Sequence, residues 1–211
     1  MGREPAREPV DLAAIRAPDS VAARRAEELC REVSPPWLVH HGLRTYLYGC
    51  VFAAFEERAL DREAFWVASL LHDLGLTEAH EGGPDDVPCF AVRGALAAGE
   101  ALAQCGWEGA RRDLVAEAIV LHLNVRVPPE RGPVAYCLAA ATALDVAGIR
   151  IWDLRREEVE AVVGRHPRLG MKAALAAVWA AEARRRPGTR AAFLDRWLRF
   201  RGRIRSAPFA D

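Results

Sequence analysis

The chain has 211 residues, 51% of them hydrophobic and 27% charged, which suits one globular domain and excludes a disordered chain. Its 29 basic and 29 acidic residues cancel, so neither a polyanion-binding nor a membrane-surface protein is indicated. Alanine, leucine and arginine dominate over β-branched and aromatic residues, which favours helices. Lys172 is the sole lysine, a skew that reads as genome composition rather than chemistry.

In chain order, residues 1–17 carry two prolines and mixed charge and read as a flexible arm without an apolar targeting segment. A helix is predicted over 20–33, with Ala22, Ala26, Leu29 and Cys30 on one face. Pro35 and Pro36 end it and open a second helix over 37–58. Asp61 is placed to cap a third helix, which runs to His72 and Asp73 and stops near Gly75. The Gly-, Pro- and Asp-rich stretch 78–88 has the length of a lid or pocket wall. Further helices are predicted over 87–105, 109–123, 134–146, 157–164, 169–186 and 189–205. Period-2 alternation is absent, so the fold class is all-α.

Cys30, Cys50, Cys89, Cys105 and Cys137 are odd in number, lack a CxxC pair and sit in apolar segments, so buried free thiols are expected. No uncharged stretch is long enough to span a bilayer, and a cytoplasmic location is the simple expectation.

Five residues carry chemistry into apolar helices: His41, His72, Asp73, His122 and Asp145. An unpaired buried carboxylate is costly, and a divalent cation would offset both aspartates while neutral imidazoles ligate it. Taken singly, each has a structural reading: His122 a hydrogen-bonded core histidine, Asp145 or Asp73 a cap for a loop. His40, His80 and His166 read as structural or surface residues. The order is the stronger signal.

That order, His41, then His72-Asp73, then Asp145, resembles the HD-domain superfamily of metal-dependent enzymes. Three segments resemble its cyanamide hydratase branch: His41-Gly42-Leu43-Arg44-Thr45-Tyr46-Leu47-Tyr48-Gly49, Leu70-Leu71-His72-Asp73-Leu74-Gly75-Leu76-Thr77, and Ala116-Glu117-Ala118-Ile119-Val120-Leu121-His122. Ala139 to Gly148 is similar to the segment holding the last aspartate, and His166-Pro167-Arg168 to a Phe-Pro-Arg element. The resemblance implies an HD-domain helical bundle over 18–187 around a single metal site, with 188–211 a basic helical extension outside it. The family's acidic and glycine-rich segment after the doublet is replaced by Cys89-Phe90-Ala91-Val92-Arg93-Gly94-Ala95, and Leu76 stands where a threonine is usual.

Carried over, the resemblance makes His41, His72, Asp73 and Asp145 the metal ligands, with Zn²⁺ the first choice and Fe or Mn as alternatives. Asp73 is then a candidate general base, and His122 a substrate contact, proton donor or second-metal ligand. Arg44, one turn after His41, is expected to orient a ligating carboxylate. Thr77 is expected to hydrogen-bond substrate or ligand, and Tyr48 to pack in the core. The implied reaction adds metal-activated water to a small nitrile-like molecule, as in cyanamide giving urea. An HD-type phosphohydrolase is the alternative, with Arg93 as the phosphate partner, and an iron-dependent oxygenase is a lesser one. Apolar walls from Leu76, Phe90 and Val92 favour a small neutral substrate. The partner expected is that small molecule. Neither membrane nor nucleic acid is expected, although 184–205 hold nine arginines. Packing of Trp179, Trp197 and Phe200, internally or against a second copy, is open.

Overall fold

The computed structural model describes residues 7–83 and 88–211. Among them the regular structure is helical and no strand occurs. The helices are α1 (Val21–Val33), α2 (Pro36–Phe55), α3 (Arg62–Leu71), α4 (Phe90–Gln104), α5 (Gly109–Leu121), α6 (Pro133–Ala147), α7 (Arg156–Arg165), α8 (Met171–Arg185), α9 (Arg190–Leu198) and α10 (Phe200–Arg205).

The ends follow local chemistry. Ser20 caps α1 by accepting from the Ala23 N–H, and Asp61 caps α3 by accepting from Glu63 and Ala64. Gly148 ends α6 in the left-handed conformation at φ 69°. The helix predicted over 189–205 is two helices, because Arg199 adopts φ 51° between them. That turn lets Phe200 reach Trp179, ring centroids 4.6 Å apart, a contact no local propensity encodes. The fourth helix begins at Phe90 rather than 87, and Cys89 lies at its cap. All five cysteines are free. Cys30, Cys50 and Cys137 are buried, whereas Cys89 and Cys105 are only partly so.

α2 is the axis of the body. Fifteen of its 20 residues are buried, so it is apolar nearly all round rather than amphipathic. It packs on α3 and α6, and α5 closes the group against α3, α4 and α6. Gly49 lets α2 and α3 approach closely, since a Cβ there would stand 2.0 Å from the Phe65 ring. A second core forms on Phe90, Leu123 and Val146 where α8, α9 and α10 cover the end of the bundle.

Of the stretch read as an arm, the described residues from 7 on are tied down. Glu158 in α7 accepts from both terminal nitrogens of Arg7 (2.8 and 2.5 Å) and from the Val10 N–H, and Ile15 is buried. Residues 188–211 fold onto α8 and α6 and supply part of the second core. Within 78–88, residues 84–87 lie outside the described residues. No helix among the described residues is long and apolar enough to cross a membrane.

Candidate metal centre

α2 delivers His41, the turn after α3 delivers His72 and Asp73, and the end of α5 delivers His122. All four are buried. His41, His72 and Asp73 each present a donor atom to a common point. His41 Nε2 lies 3.1 Å from His72 Nε2 and 3.6 Å from Asp73 Oδ2, and His72 Nε2 lies 3.3 Å from Asp73 Oδ2. The two separations from His72 Nε2 fall within the edges, about 3.0–3.4 Å, of an octahedron or tetrahedron with bonds of about 2.1 Å, and the third is slightly longer.

The back of each ring fixes its proton. His72 Nδ1 donates to the Ser69 carbonyl (2.8 Å), and His122 Nδ1 to the Ile119 carbonyl (2.5 Å). His41 Nδ1 donates to Asp145 Oδ2 (2.7 Å). A carbonyl or carboxylate only accepts, so each Nδ1 carries the hydrogen and each Nε2 presents a lone pair to the site. Asp73 Oδ1, 3.5 Å from His122 Nε2, adds negative charge. The lone pairs of His41 and His72 and the Asp73 carboxylate thus converge, with His122 Nε2 beside the carboxylate, and a divalent cation suits this donor set.

The electrostatics of two of the three imidazoles point the same way. Burial holds His41 and His122 below the ordinary imidazole value, the neutral form a metal requires. Burial opposes charge on His72 too, but adjacent Asp73 outweighs it and raises this group. A proton is the smallest cation that these lone pairs can share. Asp73 is itself held well below the carboxylate range: burial opposes ionisation, and His72 and His122 overcome it.

Asp145 stands elsewhere than the expected ligand position. It lies behind His41, and the three-donor group does not include it. Arg44 grips it through Nε and Nη2 (both 2.8 Å), and Arg168 Nη1 reaches Oδ1 at 3.0 Å. Burial disfavours its charge, but Arg44 and His41 hold its carboxyl well below the usual range. Arg44 therefore touches Asp145, which in turn fixes the His41 ring. Arg44 also donates to the His166 and Pro167 carbonyls (3.0 and 3.2 Å). Arg168 was not singled out from the sequence as a site residue; the signal available was its place in the His-Pro-Arg element, next to a proline and unpaired locally.

Thr77 turns inward. Its hydroxyl donates to the Leu74 carbonyl (2.7 Å), and it does not line the cavity. Tyr48 is fully buried. His40 donates to the Pro167 carbonyl (2.8 Å), while His80 and His166 are partly buried rather than on the surface.

The donor cluster opens onto a cavity of about 250 Å³. Its walls differ from those expected. Leu76, Phe90 and Val92 do not line it; Phe90 is wholly buried between His122 and Trp179. The lining comes instead from Leu123, Asn124 and Val125 after α5, from α6, and from Leu175, Trp179, Leu194, Leu198, Phe200 and Arg203 in α8 to α10. Arg93 is not part of this lining; Glu182 (3.0 Å) and the Gly75, His80 and Pro88 carbonyls hold it.

The chain is similar to two yeast cyanamide hydratases. Cyanamide hydratase DDI2 and Cyanamide hydratase DDI3 of Saccharomyces cerevisiae are each 27% identical to it over 183 residues, 85% of this chain and 80% of theirs. No family model matches the chain. The relationship is distant.

Proposed function

We propose that the chain is a metal-dependent hydratase that adds water across the carbon–nitrogen triple bond of a cyanamide-like substrate. The convergence of three imidazole lone pairs and the Asp73 carboxylate on one cavity carries this reading, and the similarity to cyanamide hydratases gives it a reaction. His41, His72 and Asp73 would hold the ion, with Zn²⁺ the first choice. A divalent ion there supplies Lewis acidity and a more acidic water.

The side chains supply proton transfer and orientation. Water oxygen bonds to the nitrile carbon as one π bond of the triple bond opens. The water proton passes to the Asp73 carboxylate, and His122 Nε2 relays it to the substrate nitrogen. For cyanamide, tautomerisation of the adduct then gives urea, so atoms balance without a redox partner. Arg44 and Asp145 act through His41, fixing the ring and its tautomer. The phosphohydrolase alternative has less support, because the Arg93 guanidinium expected to meet phosphate is spent on Glu182 and three carbonyls.

The test is urea formation from cyanamide by metal-loaded protein, with His72→Ala as the blank. Urea from the wild type alone supports the reading. No urea from a protein with measured bound metal overturns it for cyanamide.

A further inference from the structure

The cavity in front of the donor cluster is too large and too apolar for cyanamide alone. A volume of about 250 Å³ has room for about eight groups of water's size at about 30 Å³ each, whereas cyanamide has three heavy atoms. A molecule that small would leave most of the space to be filled by something else.

Away from the donor cluster, Asn124 and Arg203 are the polar side chains free to line the cavity, and the rest of the wall offers water little. Leu194 and Leu198 of α9, Phe200 of α10 and Leu175 of α8 present only carbon. Trp179 adds its ring, but its indole N–H is already donated to the Ala191 carbonyl (3.2 Å). The Thr142 hydroxyl is likewise turned to the Leu138 carbonyl (2.9 Å). Apolar space without hydrogen-bond partners stays dry or takes an apolar guest.

We propose that the substrate carries an apolar body of about five carbons beside its reacting group, and that the wall from α8 to α10 selects that body. The class is a substituted cyanamide or aliphatic nitrile, of which cyanamide supplies only the reacting head. The chemistry of the head group rests on the hydration reading above; the apolar body rests on the cavity wall alone.

Calorimetry on the metal-loaded full chain with N-alkylcyanamides, from methyl to hexyl, tests this. The Kd is expected to fall about fourfold per methylene until the cavity is filled, the burial expected for each CH₂. Ala143→Leu, which adds carbon to the lining, should weaken the hexyl compound at least tenfold more than the methyl one. Leu198→Ser, at a position 36% exposed and so tolerant of folding, should flatten the length dependence. A Kd that is constant or rises with chain length, or no measurable binding by any member, overturns the proposal whether or not cyanamide yields urea. Length-dependent binding without turnover of any member overturns the hydration reading instead and leaves the apolar selection standing.

Discussion

His41, His72, Asp73 and His122 come from the helical body, whereas Leu194, Leu198 and Phe200 come from the C-terminal helices, and both sets face one cavity. The two are held in different ways. Behind every ring of the first set stands a specific acceptor: Asp145, the Ser69 carbonyl or the Ile119 carbonyl. In the second set, Leu194 and Phe200 are held by van der Waals contact in the core built around Trp179 and Met171, and Leu198 is partly open to solvent. Buried polar networks tolerate almost no change, because each lost partner strands a charge or a donor. Apolar contacts tolerate volume-conserving exchange at modest cost. The difference teaches that this architecture can keep its chemistry while its choice of ligand varies.

The sharpest way to break that contrast is to remove a donor. His72→Ala should lower metal affinity by more than the about 10–100-fold typical of losing an outer partner, as read by metal content after dialysis. Full occupancy in this variant would remove His72 from the ligand set. His122→Ala should retain most of the metal and lose turnover at least about 100-fold, the usual contribution of a proton-transfer group; an emptied site would make His122 a ligand.

Next in size is the charge behind His41. Arg44→Met leaves Asp145 buried with one guanidinium fewer, and should cost about 3–5 kcal/mol in chemical denaturation of the metal-free chain. A loss below about 1 kcal/mol would show that Arg168 suffices and that the network is looser than its distances indicate.

The joint between the two regions gives a smaller effect. A Cβ on Gly75 would stand 2.1 Å from the Phe90 carbonyl oxygen, while one on Gly99 in α4 would meet nothing within 4 Å. Gly75→Ala should therefore destabilise by about 1–3 kcal/mol, and Gly99→Ala should stabilise by about 0.5–1 kcal/mol. Equal melting temperatures for the two variants would contradict the packing described.

The smallest effect is a pH slope. Burial, with Arg165 and His40 nearby, pushes His166 down to about 4. The unfolded chain takes up this proton near pH 6.5 and the folded chain does not, so stability falls as pH drops from 6.5 to 4. His166 is only partly buried, so the contribution is about 1 kcal/mol once solvent screening is allowed for. His166→Asn should flatten the stability–pH curve in that window.

Much of this was legible in the residues themselves. The helix boundary at Asp61 was readable because capping is local chemistry. His41, His72 and Asp73 stood out because charge inside an apolar helix demands a partner, and Arg44, one turn after His41, was expected to orient a carboxylate without its being identified as Asp145. The placement of Asp145 behind His41 was not legible, since helical position fixes which face a carboxylate is on but not which of two neighbours it meets. The cavity wall was misread in the same way. Leu76 and Phe90 adjoin the doublet in sequence, yet Phe90 is consumed in packing under His122.

The order of its histidines and aspartates and the apolar runs around them determine, from sequence alone, an all-helical chain with an electron-rich buried cluster. Only the tertiary structure decides what that cluster faces. Leu194 and Phe200 lie more than 70 residues beyond His122, and their arrival at the same cavity depends on the turn at Arg199 and the docking of α9 and α10 on α8. Such contacts between distant segments are set by packing, which no local pattern of residues encodes.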